Sequence, residues 1–302
     1  MKRLLVAVVA LLLLVPLLGA LATLPAHRQI RAVAPALPDY ASLRSALAVT
    51  DGPVAISYVN TASQSGPLGT LGHPGVLLQW ADGRMFLIDT GMPPQEAVAF
   101  GRPMEWLLGA QPTQAFGSLA QQLGERAQRI DGIGFTHLHS DHTDGLPEIC
   151  AARPQPAGVY QTPLQYSERN YTTDIGFAAL QAARCPIREL DAAQVMSIPG
   201  FPGLVLVSLG GHTPGSTLFA VRIGARYLLF SGDITNDRRS LLEDLPKPWL
   251  YSTFIVPEDT ARTSVLRHWL KELDTRDDVV VFPAHDVEHM ARHLPAATDT
   301  GL

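Results

Sequence analysis

The chain has 302 residues, of which 46% are hydrophobic and 17% charged, and its formal net charge is −5 at pH 7. This hydrophobic fraction is that of an ordinary globular protein and argues against extensive disorder. The acidic balance disfavours nucleic acid and anionic membrane surfaces as partners, because both are bound through basic faces.

The N-terminus has the pattern of an export signal. Lys2 and Arg3 precede an uncharged run over residues 4–26, and Ala20-Leu21-Ala22 supplies a small-residue cleavage site. The run is also almost long enough to span a bilayer, so residues 1–22 are interpreted either as a cleaved signal peptide, which is favoured, or as an uncleaved anchor. Both interpretations place the rest of the chain outside the cytoplasm.

The remaining chain divides into a linker over residues 23–50, with one short helix over 40–47, and one catalytic domain over residues 51–302. The domain opens with a strand over 54–59. The segment over 60–74 is dense in Gly, Ser and Thr and predicts a mobile loop that covers the site. His73 lies in this loop, where a surface position is favoured over a substrate contact.

Further elements follow in chain order. Residues 76–80 and 84–88 read as a hairpin that turns at Asp82-Gly83. Residues 93–110 are interpreted as an insert over the site. Apolar spacing predicts helices over 116–127, 164–170 and 265–273, and another after Gly145 with Asp144 as its cap.

The most informative segment is His137-Leu138-His139-Ser140-Asp141-His142, which follows an apolar run over 130–135. Three imidazoles and one carboxylate within six residues need water, a partner or a metal ion. If the strand ends near Thr136, the segment becomes a turn that aims these side chains into a single cavity. Imidazole and carboxylate form a ligand set for zinc, and in some sites for iron or manganese.

Further candidate ligands follow other apolar runs. His212 follows the run over 204–209, Asp233 follows that over 227–230, and His285 follows that over 279–282. Asp89 similarly follows the run over 85–88. These positions are the carboxyl ends of predicted strands, which is where an α/β fold builds its sites.

In order and rough spacing, these residues resemble the metallo-β-lactamase-fold superfamily over about residues 54–290. The resemblance implies an αββα sandwich of two mixed β-sheets flanked by helices, with two divalent metal ions, most often Zn²⁺, at one edge. The ligands that it implies are His137, His139 and His212 for the first metal, Asp141, His142 and His285 for the second, and Asp233 as a bridge together with a water or hydroxide. Asp89 would support the ligands through hydrogen bonds, or would only cap its own turn.

Two nearby divalent ions supply a hydroxide nucleophile, so the reaction implied is hydrolysis, with Asp141 and Asp233 as the catalytic carboxylates. His139 stands where flavodiiron oxygen reductases carry Glu, which favours hydrolysis. Asp233 stands where true metallo-β-lactamases have Cys or Ser, which favours the lactonase, glyoxalase II and phosphodiesterase branches. Asn236 occupies a position where acyl-homoserine lactonases often have Tyr, which argues against that particular substrate.

The sequence therefore predicts an extracytoplasmic dinuclear zinc hydrolase acting on a small-molecule ester, lactone or thioester. A β-lactamase is the first alternative, suggested by the segment from Gly211 to Gly215 that resembles one β-lactamase subclass. A phosphodiesterase and a non-catalytic, metal-stabilised binding module are further alternatives. The substrate, the native metal and the oligomeric state stay open.

Several residues have two interpretations. Cys150 and Cys185 are either a disulfide or two buried thiols. For the others, the favoured interpretations assign no function: core aromatics for Trp249 and Tyr251, solvated cations for Arg238 and Arg239, and surface residues for His289 and His293. His285, His289 and His293 are spaced four apart, which could form a helical metal-binding stripe, but only His285 is interpreted as a ligand.

Overall fold

The structure is a computed structural model that describes residues 2–67, 69–153 and 155–297. Met1 of the predicted export segment and residues 298–302 of the predicted catalytic domain lie outside the described residues. The α-helices are α1 Lys2–Arg31, α2 Tyr40–Ala46, α3 Pro94–Leu108, α4 Leu119–Leu123, α5 Ser140–Thr143, α6 Leu146–Ala151, α7 Pro163–Ser167, α8 Asp174–Ala182, α9 Arg238–Glu243, α10 Thr260–Asp274 and α11 Val287–His293. Two short 3₁₀ segments cover Gly124–Arg129 and Gly232–Ile234, and a single π turn covers Tyr251–Ile255.

The strands form two mixed sheets. They are β1 Ala55–Gly66, β2 Gly69–Gln79, β3 Met85–Ile88, β4 Gln114–Ala115, β5 Ile130–Gly134, β6 Gly158–Gln161, β7 Ile187–Glu189, β8 Met196–Ser197, β9 Leu204–Ser208, β10 Thr217–Ile223, β11 Arg226–Phe230 and β12 Val279–Phe282. The first sheet has the order β4-β1-β2-β3-β5-β6-β7 and the second the order β12-β11-β10-β9-β8. β3, β5, β6 and β7 run parallel, as do β11 and β12.

A layer of apolar side chains lies between the sheets, and aromatic rings fill much of it. Two glycines of β5 make room for these rings. A Cβ atom on Gly132 would lie 2.5 Å from the ring of Phe86, and one on Gly134 would lie 2.6 Å from the ring of Phe219. Each buried ring contributes roughly 1.5–3 kcal/mol. This packing fixes the end of β5, from which the histidine-rich segment emerges.

Helices cover the outer face of each sheet, so the predicted αββα sandwich is confirmed. The predicted helix over 265–273 lies within α10, which packs against β12. Leu266, Leu270 and Leu273 are buried on this face, whereas Val265 is exposed. An apolar stripe repeating every three to four residues therefore identified the covered face of the helix, but not its edge.

The prediction of a loop over residues 60–74 is wrong, because most of this segment forms two paired strands. β1 continues to Gly66 and pairs with β2 in antiparallel register, with a bulge between Asn60 and Ser63. Small polar residues predicted a loop, but tertiary contacts hold them in a sheet. The amide of Gln64, for example, donates to the carbonyl oxygens of Gly101 and Gln111 at 3.0 Å each.

The segment over 93–110, interpreted as an insert, is mainly helix α3, which begins with Pro94 and ends at Gly109, a residue in the left-handed region at φ 67°. One other local prediction needs correction. Asp144 is not the cap of α6, because it closes the preceding turn through its N–H to the carbonyl of Ser140. Gly145 takes the cap position of α6.

The N-terminal part of the chain contacts the second half of the domain. The end of α1 packs by Ala26 and Ile30, which are buried, and the ring of His27 lies 3.0 Å from the carbonyl oxygen of Thr253. Residues 23–50, predicted as a linker, hold this end of α1 and the whole of α2. Across the described parts of the chain, no helix reaches the combined length and hydropathy of a membrane crossing.

A disulfide joins Cys150 at the end of α6 to Cys185 after α8, with a Cα–Cα distance of 5.9 Å. Both residues are buried within the apolar layer outside the first sheet. Of the two interpretations of this pair, the structure has the covalent one.

Candidate metal centre

The histidine-rich segment turns immediately after β5. His139 takes the position before the first residue of α5, and its carbonyl oxygen accepts the N–H of His142 at 3.1 Å. This single turn places Asp141 and His142 on α5, while His137 stays on the extended segment before it. Gly176 of α8 packs against the same segment, since a Cβ atom there would lie 2.1 Å from the carbonyl oxygen of Leu138.

One cluster consists of the three predicted ligands of the first metal. His139 Nδ1 lies 3.0 Å from His137 Nε2 and 3.1 Å from His212 Nε2. Burial is the main cause that lowers the pKa of each ring, to about 3 for His139. The three rings are therefore neutral, and their converging nitrogen lone pairs are available to a cation.

The three predicted ligands of the second metal form an adjacent cluster. Asp141 Oδ2 lies 3.5 Å from His142 Nε2 and 3.7 Å from His285 Nε2. Burial opposes protonation of both rings, but carboxylates outweigh it and raise the pKa of His142 and of His285. A divalent cation at this cluster would take the place of the positive charge that the carboxylates otherwise favour on the two protonated rings.

Asp233 lies between the two clusters. Its Oδ1 atom is 3.0 Å from His285 Nε2 and 3.4 Å from His142 Nε2, and its Oδ2 atom is 3.6 Å from His212 Nε2. Gly232, at φ 59°, makes the sharp turn after β11 that brings this carboxylate inward. Each oxygen of Asp233 thus faces one of the two sets of imidazoles.

Each histidine that is predicted as a ligand has a partner on its other ring nitrogen, as metal-bound histidines generally do. Asp89 lies 2.9 Å from His142 Nδ1, and the Gly72 carbonyl lies 2.6 Å from His285 Nδ1. Glu258 contacts His212 Nδ1. The remaining two partners are hydroxyl groups: Thr136 for His137 and Thr172 for His139.

Asp89 serves both of the roles that its sequence position suggested. Oδ1 accepts the backbone N–H of Thr136 at 2.7 Å, which fixes the turn. Oδ2 accepts the Thr136 hydroxyl at 2.7 Å and faces His142 Nδ1, which fixes the orientation of a predicted ligand. Asp89 is 5% exposed, so water cannot take its place as the acceptor for these donors.

The donor set fits divalent metal ions. Four groups of three imidazole or carboxylate side chains have ligand atoms within 4.8 Å of one another, and every member is buried. Among the described residues, His142 Nε2 and Asp233 Oδ1 find no hydrogen-bond partner of good geometry although both are buried. Buried polar atoms without partners are costly, and coordination would satisfy them.

The structure corrects the interpretation of His73 as a surface residue. His73 is 3% exposed, its ring packs edge-on against His285, and its Nδ1 atom lies 3.3 Å from Asp141 Oδ2. It faces the second cluster because the extended hairpin of β1 and β2 carries it there. Burial lowers its pKa, so the ring is neutral.

Two residues of the site carried no recognisable sequence signal, Lys247 and Glu258. Lys247 Nζ lies 3.2 Å from Asp233 Oδ2 and 3.3 Å from Glu258 Oε1. Burial disfavours its charge, but the two carboxylates outweigh burial and raise its pKa. Neither residue follows a predicted strand, and only the tertiary structure brings them to His212.

Other predicted contacts lie near the rim. Trp249 is 69% exposed, so its interpretation as a core aromatic is wrong. Tyr251 is half-buried, with Lys247 Nζ 5.6 Å from its ring centre. Arg238 and Arg239 pair with acidic side chains, Asp274 and Glu243 respectively.

Of the two downstream histidines, His289 is not on the surface, where the sequence placed it. It is 3% exposed, and its Nε2 atom lies 3.1 Å from the carbonyl oxygen of Val281. His293 is partly exposed, and its ring lies beside that of His289. Neither belongs to any of the four ligand groups, whereas His285 belongs to two of them.

Comparisons with known proteins agree with this architecture. The family model of the metallo-beta-lactamase superfamily matches residues 69–285. A probable metallo-hydrolase of Mycobacterium tuberculosis is 25% identical over 258 residues, which cover 78% of this chain and 81% of the relative. A hydroxyacylglutathione hydrolase of Hahella chejuensis is 32% identical over 137 residues, 42% of this chain and 48% of that protein.

Solved structures give the same fold. An N-acyl homoserine lactone hydrolase with the product N-hexanoyl-L-homoserine bound at its catalytic metal center superposes with a TM-score of 0.59 at 16% identity. The superposition covers 81% of this chain and 98% of that one. AidC, a dizinc quorum-quenching lactonase, superposes with a TM-score of 0.53 at 16% identity, covering 78% and 89% of the two chains. At this identity the likeness concerns the fold.

Proposed function

This chain belongs to the metallo-beta-lactamase superfamily and is a metal-dependent hydrolase, and we propose that it works with two divalent metal ions. The ions are most readily Zn²⁺, with Mn²⁺ or iron as alternatives, since imidazole and carboxylate accept all three. We further propose that it cleaves an ester, lactone or thioester bond of a small-molecule substrate outside the cytoplasm.

The observation that carries the proposal is the placement of Asp233 between two imidazole clusters, with one oxygen toward each. A single ion would leave one of these clusters as a buried set of converging ligand atoms with no cation to coordinate. In the proposed site, His137, His139 and His212 hold the first ion, Asp141, His142 and His285 hold the second, and Asp233 bridges them.

When bound, the ion pair would supply a hydroxide nucleophile near neutral pH and a Lewis acid for the substrate oxygen. The protein positions the reacting groups. Asp141 is held at 3.3 Å by His73 and at 3.5 Å by His142, so its carboxylate is fixed where it can orient a nucleophile and receive a proton. The neutral ring of His73 completes the wall on this side and adds no charge.

The proposal of an ester, lactone or thioester substrate rests on the bridging aspartate and on the charged and aromatic side chains discussed next. Arg238 and Arg239 are each paired with an acidic side chain, which leaves them poorly placed to recognise a phosphodiester. Tyr251 instead offers an aromatic ring close to Lys247, and Trp249 is an exposed aromatic side chain two residues before it in the chain. The similarity of part of the chain to a hydroxyacylglutathione hydrolase supports the same class.

Two features support an extracytoplasmic location. The N-terminal pattern, Lys2-Arg3 before an uncharged run, is typical of export. The disulfide between Cys150 and Cys185 is typical of an oxidising compartment. Fractionation of cells that express the full chain, with the N-terminal sequence of the exported product, tests the location and distinguishes a cleaved signal from an anchor. Recovery of the reduced, uncleaved chain from the cytoplasm alone would contradict it.

The central experiment measures metal content per chain and hydrolysis of an ester, lactone, thioester and chromogenic β-lactam on the same sample. We expect two metal ions per chain and activity that is lost with a chelator and restored by Zn²⁺. Asp233→Ala should lower metal content and reduce kcat by about a hundredfold or more. Asp191→Asn, a change at an exposed carboxylate, is the matched control.

The outcomes separate the alternatives. Turnover of the β-lactam alone would replace the proposed substrate class with the β-lactamase function. One metal ion in a folded, active protein would overturn the dinuclear site. Two ions with no hydrolysis of any substrate would overturn the ester, lactone and thioester class.

A further inference from the structure

Lys247 is a buried cation beside the carboxylate that joins the two metal positions. Its side chain is 9% exposed, and its Nζ atom is 3.2 Å from Asp233 Oδ2, the oxygen that faces the first cluster. It lies in the connection between α9 and the π turn over Tyr251–Ile255, so no regular element of the sheets holds it.

Glu258 holds this lysine from the other side. Glu258 Oε1 lies 3.3 Å from Lys247 Nζ and also contacts His212 Nδ1, while Oε2 accepts the hydroxyl of Ser252 at 3.1 Å. With its proton on Nδ1 toward Glu258, His212 would direct its Nε2 lone pair to the first cluster. Lys247 Nζ also lies 3.2 Å from His212 Nδ1. Lys247, Glu258, His212 and Asp233 therefore form a closed ring of contacts around one side of that cluster.

The charges of the described site balance only when Lys247 is counted. The carboxylates around the two clusters are Asp89, Asp141, Asp233 and Glu258. With one ammonium they leave three negative charges, which two divalent ions and one hydroxide would neutralise. Without the ammonium, the loaded site would keep a net negative charge in a buried environment, where an unbalanced charge is costly.

We propose that Lys247 is a positioning residue that sets the electrostatics of the first metal position, lowering its affinity for a divalent ion and keeping a bound ion electron-poor. The inference rests on the proposed dinuclear function. Its basis is geometric: the ammonium binds the very oxygen that a first ion would share, so it withdraws electron density from that ligand and repels the ion. Glu258 has the opposite effect, because its negative charge attracts the ion and orients His212.

The two residues make opposite predictions for metal affinity. The test titrates Zn²⁺, in competition with a chelator, into metal-free full-length chain carrying His285→Ala, which isolates the first position. Lys247→Met should tighten binding there about tenfold or more, whereas Glu258→Gln should weaken it by a similar factor. Lys247→Arg, which keeps the charge, should return the affinity toward that of the parent. Lys271→Met, at an exposed lysine of α10, is the matched control.

Activity of the variants with His285 intact gives a second readout. Lys247→Met should lower kcat and leave KM nearly unchanged, because the ion that it tightens is less electrophilic. If Lys247 only supported the structure, Lys247→Met would bind the metal ion more weakly. Weaker binding or an unchanged affinity in Lys247→Met would overturn the inference. Lys247→Gln replaces Lys247→Met if the latter does not fold.

The inference and the proposed function fail separately. If Lys247→Met tightens the first position but the parent chain cleaves no ester, lactone or thioester, the substrate class is wrong and the role of Lys247 stands. If the parent binds two ions and cleaves such a substrate while Lys247→Met has unaltered affinity, the role of Lys247 is wrong and the function stands.

Discussion

Replacement of Asp89 by Asn changes one atom yet should weaken metal binding at the second position. Asp89 Oδ2 accepts the Thr136 hydroxyl at 2.7 Å and faces His142 Nδ1 at 2.9 Å, so His142 carries its proton on Nδ1 and presents Nε2 to the cluster. An amide nitrogen at the place of Oδ2 is a donor. His142 Nδ1 must then become an acceptor, and its proton moves to Nε2, where it blocks coordination.

The magnitude follows from these contacts. Loss of an outer partner of a metal-bound histidine costs roughly 10- to 100-fold in metal affinity, which is about 1.4–2.7 kcal/mol. The fold should also lose about 3–6 kcal/mol, because two buried donors lose a charged acceptor at about 1.5–3 kcal/mol each. The bond from the Thr136 N–H to Oδ1 is retained, which should keep the turn after β5.

Metal content, chelator competition and thermal unfolding of the metal-free chain measure the two effects separately. We expect Asp89→Asn to retain the first ion and to bind the second roughly 10- to 100-fold more weakly. Asp39→Asn is the matched control, since Asp39 caps α2 through the N–H of Ser42 and Asn caps equally well. A folded Asp89→Asn variant that binds both ions with unaltered affinity would refute the orienting role and leave only the turn.

Three further predictions concern stability. Replacing Cys150 and Cys185 by Ala should lower the free energy of unfolding in urea by about 3–4 kcal/mol, because the disulfide spans 35 residues. The parent chain in reductant should be as stable as the variant. Equal stability of the oxidised and the reduced parent would contradict the stabilising role of the disulfide. Burial lowers the pKa of His289 to about 4, below the unfolded value near 6.5. Between these two pH values the unfolded state binds more protons, so the free energy of unfolding falls as the pH drops through that window. The expected loss is about 1–2 kcal/mol after allowance for solvent screening. His289→Gln should remove this part of the pH dependence, and an unchanged slope would show that other groups cause it. Gly176→Ala should lower the unfolding temperature and the metal content together, because its methyl group would collide with the carbonyl of Leu138; a more stable variant would show instead that the preference of Ala for helix prevails.

Part of this molecule was predictable because its signals are local. A run of apolar residues followed by His, Asp or Gly marks the end of a buried strand, and His137 to His142, His212, Asp233 and His285 all follow such runs. The structure brings these positions together in groups of three whose ligand atoms lie within 4.8 Å of one another, and the members include His137, His139, Asp141, His142, His212, Asp233 and His285. Their role as metal ligands stays a prediction. The layered fold was predictable for the same reason, since each strand and helix carries its own periodicity.

Local signals failed where tertiary contacts outweighed them. Residues 60–74 have the composition of a loop, yet contacts such as those of Gln64 extend them as strands. That extension carries His73 to the second cluster, a position that no spacing in the sequence indicated.

The sequence by itself determined the layered fold and the chemistry of the predicted ligand set, because every predicted ligand lies in a segment that follows one of four apolar strands. Only the tertiary structure decided which groups surround those ligands. Glu258 meets His212 across 46 residues of sequence, and Lys247 meets Asp233 across 14 through a connection without regular structure. A buried lysine and a surface lysine look the same in a sequence, because burial depends on where the whole chain folds around them.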